Sequence, residues 1–77
     1  MKIAIIFGRI LQEARLDKGF SQEKLADLSG LDRSYISMLE RGLRQPTINS
    51  LFSISKILEV KPSAIIKMVE ERYEIKN

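Results

Sequence analysis

The sequence predicts an all-α domain of five helices, a phage-repressor-like architecture containing a helix-turn-helix. Three observations predict the all-α class. Apolar residues recur at three- and four-residue spacing through most of the 77 residues. No segment alternates apolar and polar residues as a half-buried strand does, and no Asn-Gly or Asp-Gly hairpin turn occurs. Glycine and proline, four and two in number, fall mostly between the helical patterns. The length corresponds to one domain, residues 1–77.

The first helix covers residues 3–18, with Ile3, Phe7, Ile10, Leu11 and Ala14 at helical spacing and Lys18-Gly19 as a basic last turn followed by a C-terminal glycine. The second covers 21–29. Ser21 caps it, Glu23 suits its positive end, Leu25, Ala26 and Leu28 are its apolar positions, and Gly30 closes it. The third covers 33–41, after Asp32 as N-cap, and Gly42 ends it. The fourth covers 47–59, capped by Thr47 after Pro46, and carries Ile48, Leu51, Phe52, Ile54, Ile57 and Leu58. The fifth covers 62–73, starting on Pro62 and carrying Ile65, Ile66, Met68 and Val69. Its charged end, 70–77, is expected to fray.

Composition removes several functions. With no cysteine there is no disulfide, and with no histidine the commonest soft metal ligand and neutral-pH acid/base are missing. No metal and no cofactor are expected. No nucleophile–base pair or phosphate-cradling glycine loop is visible, so the reading is not an enzyme. The net charge of +3 is only a mild excess, so local clustering must carry any argument for a polyanionic partner. The apolar start, residues 1–7, stops at Gly8-Arg9 before a signal peptide is complete, and no stretch approaches the ~18 apolar residues of a membrane span. The expectation is a cytoplasmic protein with no membrane partner. A core this small leaves oligomerisation as the plausible support.

Helices two and three are joined by one tight connection, Ser29-Gly30-Leu31-Asp32. Such a corner needs a small residue at the crossing and a left-handed residue at the bend, which Ala26 and Gly30 supply. Leu25, Leu28, Leu31, Ile36 and Leu39 form an inward seam. On the opposite arc of the third helix lie Arg33, Ser34, Ser37, Met38 and Arg41, with no acid among them. A basic, small-polar face enters a DNA major groove without repelling phosphates: arginine donates twice to guanine, serine bonds several base edges, and a methionine tip touches a thymine methyl. Gln22, at the start of the second helix, is placed where its side chain and the helix amides meet a phosphate.

The segment from Ser21 to Gly42 resembles the helix-turn-helix of phage-repressor-like transcription factors. Leu31-Asp-Arg-Ser-Tyr-Ile-Ser37, with Glu40-Arg-Gly42, is similar more narrowly to the controller proteins of restriction–modification systems. The resemblance implies homodimers on palindromic double-stranded DNA operators, activation of the restriction gene, and repression of the regulator's own gene as more dimers bind. Base-reading positions then fall on Arg33, Ser34, Ser37 and Met38, the phosphate-contacting glutamine on Gln22, and a structural arginine–glutamate pair on Arg15 and Glu40. Glu23 and Asp27, one turn apart on the second helix, are either a solvated acidic face or, as the resemblance suggests, a contact for RNA polymerase.

Other residues keep two readings. Tyr35 packs on the core with its hydroxyl at a phosphate or sugar, or serves core packing alone. Arg41, Arg44 and Gln45 contact the DNA backbone as the chain leaves the third helix, or the two arginines are merely solvated. Thr47 is first a cap, and the amides of its helix are a second phosphate site. Ile65, Ile66 and Val69 are chosen as the dimer interface, which would set two recognition helices ~34 Å apart. Alternatives to a controller are an antitoxin or a phage-type repressor and, from another class, a protein-interaction module whose basic face meets an acidic partner.

Overall fold

A computed structural model describes residues 2–76, with side chains through residue 74; Met1 and Asn77 lie outside the described residues. Along the chain run α1 (Lys2–Asp17), α2 (Gln22–Ser29), α3 (Arg33–Glu40), α4 (Ile48–Leu58) and α5 (Pro62–Lys76), with no strand among the described residues. Helix α1 packs on α3 and α5, α2 packs on α3 and α4, and α4 packs on α5. Phe7, Ile10, Leu11, Leu25, Ile36, Leu39, Ile54, Leu58 and Ile65 meet in one core to which all five helices contribute.

The ends of the helices follow from their capping chemistry. Ser21 is extended at the start of α2, and its Oγ accepts from the Lys24 amide at 3.0 Å. Gly30, with φ of 73°, ends α2 in the left-handed region, which a β-carbon makes costly. Thr47 and Ser50 form a reciprocal capping box on α4: Thr47 Oγ1 accepts from the Ser50 amide and Ser50 Oγ from the Thr47 amide, both at 3.0 Å. Asp32 occupies the N-cap of α3, but its exposed carboxylate makes no capping hydrogen bond, contrary to expectation. What it offers α3 is negative charge at the positive helix end.

Several expected core residues lie outside. Ile3 is 45% exposed and does not join the core; Ala4 and Ile6, on the adjoining positions of α1, are buried instead. Leu28 is exposed because Ser29 takes the more inward position on α2, with its hydroxyl donating to the Leu25 carbonyl at 2.7 Å. On α4 the stripe of Leu51, Ile54, Ser55 and Leu58 faces the core, which leaves Ile48 and Phe52 on the outer side, 71% and 58% exposed.

Helix α5 continues three residues past 73, to Lys76. Its second half is tied to α1 by Arg72, which donates to Glu13 from both terminal nitrogens, at 2.7 and 3.2 Å. A second exposed pair, Lys18 with Glu59, joins the end of α1 to the end of α4. Gly8 sits in the middle of α1, against the end of α3. A β-carbon there would lie 2.4 Å from the Leu39 carbonyl oxygen and 2.6 Å from that of Glu40. The backbones of α1 and α3 are thus closer at this point than any side chain permits.

Candidate nucleic-acid interface

The recognition helix is held from one side. Ile36 and Leu39 are fully buried, which fixes the rotation of α3 about its axis and turns the rest of the helix outward. Arg33, Ser34 and Arg41 are exposed; Ser37 and Met38 are half-buried. All five fall on the arc away from the core. No carboxylate stands on that arc, and Asp32 is at its N-terminal edge.

Beside this arc, a shallow depression of about 430 Å³ lies between the α2–α3 turn and the chain that follows α3. Asp32, Ser34, Tyr35, Met38 and Arg44 line it. Two expected base readers therefore stand next to two expected backbone contacts. The Arg44 guanidinium lies over the Tyr35 ring, 5.7 Å from its centre, a cation–π arrangement that steadies a long exposed side chain. The Tyr35 hydroxyl and Ser50 Oγ are 3.0 Å apart. Tyr35 thus packs on the core, with its hydroxyl engaged inside the chain. Thr47 joins the same cluster through Ser50. Gln45 is exposed on the same connection.

Behind α3 is a buried ion pair. Arg15 Nε donates to Glu40 Oε2 at 2.6 Å and Arg15 Nη2 to Glu40 Oε1 at 3.0 Å, with side-chain exposures of 9% and 2%. Arg15 Nη1 donates further to the Phe20 carbonyl at 2.7 Å. This fork holds the end of α1, the α1–α2 connection and the end of α3 in one geometry. Gln22 is drawn into the arrangement: its Nε2 donates to Glu40 Oε1 at 3.0 Å, and its Oε1 accepts from Arg33 Nη1 at 3.3 Å.

Glu23 and Asp27 are exposed on α2. The expected dimer set is divided. Ile65 is 1% exposed and belongs to the chain's own core, so it presents no surface to a partner. Ile66 is 52% exposed, and Val69 is half-buried at its side. Residues 65 and 66 are neighbours on a helix, so when one faces inward the other is turned well away from it.

Two residues that position this face were not read from the sequence. Ser50 anchors the Tyr35 hydroxyl, and its spacing three residues after Thr47 was an available capping-box signal. Gly8 sets the approach of α1 to the end of α3, and an isolated glycine inside a helical pattern was the available sign.

Comparison with known proteins places the chain among relatives. A family model described as helix-turn-helix matches residues 11–65. The control protein C.BamHI of Bacillus amyloliquefaciens is 42% identical over 65 residues, spanning 83% of this chain and 80% of that one. The crystal structure of the restriction-modification controller protein C.AhdI from Aeromonas hydrophila has a TM-score of 0.78 at 42% identity, covering 80% of this chain and 94% of that one. A mutant of the controller protein C.Esp1396I, solved bound to its highest affinity operator site, has a TM-score of 0.81 at 38% identity and covers 92% of this chain and 93% of that one. With the family model spanning most of the chain and controller proteins similar over most of their own lengths, the chain belongs to the helix-turn-helix regulators and, within them, to the restriction–modification controller proteins.

Proposed function

We infer that the chain is a non-catalytic, sequence-specific DNA-binding regulator. It controls restriction–modification genes and its own gene from the cytoplasm, as a homodimer on palindromic operators. The observation that carries this reading is the outer face of α3. That face is rotationally fixed by Ile36 and Leu39, free of carboxylates, and built of arginine, serine and methionine. Arg33, Ser34, Ser37 and Met38 read base edges in the major groove. Arg41, Arg44 and Gln45, with Gln22 and Thr47, flank them along the sugar-phosphate backbone, and Tyr35 supports Arg44 from beneath. The operator-bound relative supports duplex DNA as the partner. No described helix is long and apolar enough to cross a membrane.

The dimer is carried by the outer side of α5. Ile66, Val69 and Tyr73 follow at helical spacing, with Ile66 and Tyr73 exposed, and Phe52 of α4 stands near Pro62, where α5 begins. A stripe of this kind is self-complementary across a two-fold axis. Glu23 and Asp27 on α2 are the surface assigned to RNA polymerase.

The test is a binding titration with the DNA just upstream of the gene against a scrambled duplex, at fixed near-physiological salt. The expected preference is at least ~10³, with a second, cooperative shift. Equal, salt-sensitive binding to both duplexes would reduce the face to a basic surface. In the same assay Arg33→Ala costs ~1–3 kcal/mol on the preferred duplex and little on the scrambled one. Ile66→Asp turns the dimer into monomers by sedimentation; an unchanged dimer would move the interface elsewhere.

A further inference from the structure

The depression beside the recognition helix brings apolar groups to a face that otherwise reads by polar ones. Ser34 and Met38 stand one turn apart on the outward arc of α3 and both line it, so the base-reading helix itself forms part of the wall. Arg44, from the chain that follows α3, forms another part, its guanidinium 5.7 Å from the centre of the Tyr35 ring. A depression between a base reader and a backbone contact lies where the edge of a base passes. The Tyr35 hydroxyl is engaged with Ser50 Oγ at 3.0 Å, so Tyr35 gives the lining its ring. Leu31, half-buried in the α2–α3 turn, and the half-buried Met38 thioether complete the apolar part. We propose that this depression is a methyl-reading site: Met38, backed by Tyr35 and Leu31, takes the C5-methyl group of a pyrimidine in the operator.

The ligand follows from the chemistry of the groove. Of the four unmodified bases only thymine carries an apolar group into the major groove, the methyl on C5. Cytosine methylated at C5 carries the same group at the same place. Methionine suits such a target, because its unbranched, polarizable side chain adjusts to a small apolar group. The polar part of the lining accommodates both bases. The Ser34 hydroxyl can donate to thymine O4 or accept from the cytosine N4 amino group, and the Asp32 carboxylate can accept from that amino group. Unmethylated cytosine leaves the apolar lining without a partner. Operator occupancy therefore depends on the methylation of a cytosine at this position. The inference rests on the DNA-regulator reading and extends it from a base sequence to a methyl mark.

The test changes one methyl group at a time in the duplex from just upstream of the gene and measures binding by the full chain at fixed salt. Each thymine is replaced singly by uracil, and each cytosine singly by 5-methylcytosine, on both strands. In wild type, at least one replacement in a half-site is expected to change affinity by about fourfold, the worth of one buried methyl, with the methylated base bound more tightly. Where that base is thymine, cytosine and 5-methylcytosine are then compared at the same position, and the methylated form is expected to bind more tightly by a similar factor. Met38→Ala is expected to abolish these differences, and Met38→Leu, which keeps an apolar tip, to retain them. Met38→Gln, which puts an amide where the tip stood, serves if Met38→Ala does not fold. Wild type that prefers the upstream duplex yet responds to no methyl group overturns the proposal and leaves the regulator reading intact. So does a methyl effect that survives unchanged in Met38→Ala, and so does a methyl effect at thymine with none at cytosine in the same position, which leaves a thymine contact only. Equal binding to the upstream and scrambled duplexes overturns the regulator reading, and the methyl site with it.

Discussion

Gly8→Ala places a methyl group where α1 meets the end of the recognition helix. The new carbon would sit 2.4 Å from the Leu39 oxygen and 2.6 Å from the Glu40 oxygen. Real β-carbons essentially never come closer than 3.0 Å to such an atom, so the two backbones must give way by about 0.6 Å or more. Neither obstacle is a flexible side-chain end; both are carbonyls of a helix whose other side is locked by Ile36 and Leu39. Overpacking of this kind costs ~1–3 kcal/mol. Against it stands the ~0.5–1 kcal/mol that alanine gains over glycine inside a helix. The steric term wins, and the net expectation is a loss of about 1–2 kcal/mol, or ~4–16 °C in melting temperature for a domain this small. The assay is urea unfolding followed by circular dichroism at one fixed protein concentration, because a dimer's stability depends on concentration. A variant as stable as wild type, or more stable, would mean that the end of α3 does not lie against α1 as described. The same variant is expected to bind the upstream duplex more weakly even when folded, because the displaced carbonyl of Glu40 carries the anchor of Gln22 with it.

Tyr35→Phe removes the bond to Ser50 while keeping the ring under Arg44, and Ser50 Oγ retains its capping partners. The expected cost in urea unfolding is ~0.5–1.5 kcal/mol, with the salt dependence of DNA binding unchanged; a flattened salt dependence would place the hydroxyl on a phosphate. Ser55 Oγ is buried with no hydrogen-bond partner among the described residues. Ser55→Ala is therefore expected to stabilise the chain by about 1 kcal/mol in the same assay, and a clear destabilisation would reveal a partner. Glu13 and Glu59 are held below the ordinary carboxylate pKa, by hydrogen bonds from Arg72 and Lys18 respectively. A depressed folded pKa adds stability that is present above the unfolded pKa and lost as pH falls through the folded one. Acidification from about pH 5 downward should release both clamps on α1, and the Glu13→Gln/Glu59→Gln double variant should show a shallower loss of urea midpoint over that range. The effect is small, because both carboxylates are largely exposed.

The parts of the site that depend on local chemistry were legible. Ser21, Gly30 and Thr47 cap helices wherever such residues precede or follow an amphipathic pattern, and the acid-free arc of α3 follows from helical spacing alone. The parts that depend on what comes opposite were not. Ile65 and Ile66 carry the same side chain, and α5 has apolar residues on adjoining sides at 65, 66, 68 and 69, so periodicity alone did not decide which one met the core. Ile48 and Phe52 belong to the apolar count of α4 yet lie on its outer side, because the inward stripe is completed by Ser55, a polar residue that spacing arguments pass over. Gly8 announced a close approach but could not name α3 as the helix approaching. The Arg15–Glu40 pair joins residues 25 positions apart and came from family resemblance, not from local pattern.

That pair raises a question of cost. Burying an arginine and a glutamate takes two charges from water, and a well-packed apolar pair of similar volume is often as stable or more stable. Removing one partner is different, because it strands the other: Glu40→Leu leaves the Arg15 guanidinium buried beside an aliphatic chain, at an expected ~3–5 kcal/mol. Replacing both, as Arg15→Met with Glu40→Leu, should restore stability to within ~1 kcal/mol of wild type in urea unfolding. If stability were the purpose of the pair, the double variant would lose nothing in function. It does lose the acceptor that orients Gln22, and with it the outward carbonyl that holds Arg33. A double variant that folds as well as wild type but discriminates less at the Arg33 base pair would show that the pair is retained for the direction it imposes. Recovery of both stability and discrimination would return it to the role of packing.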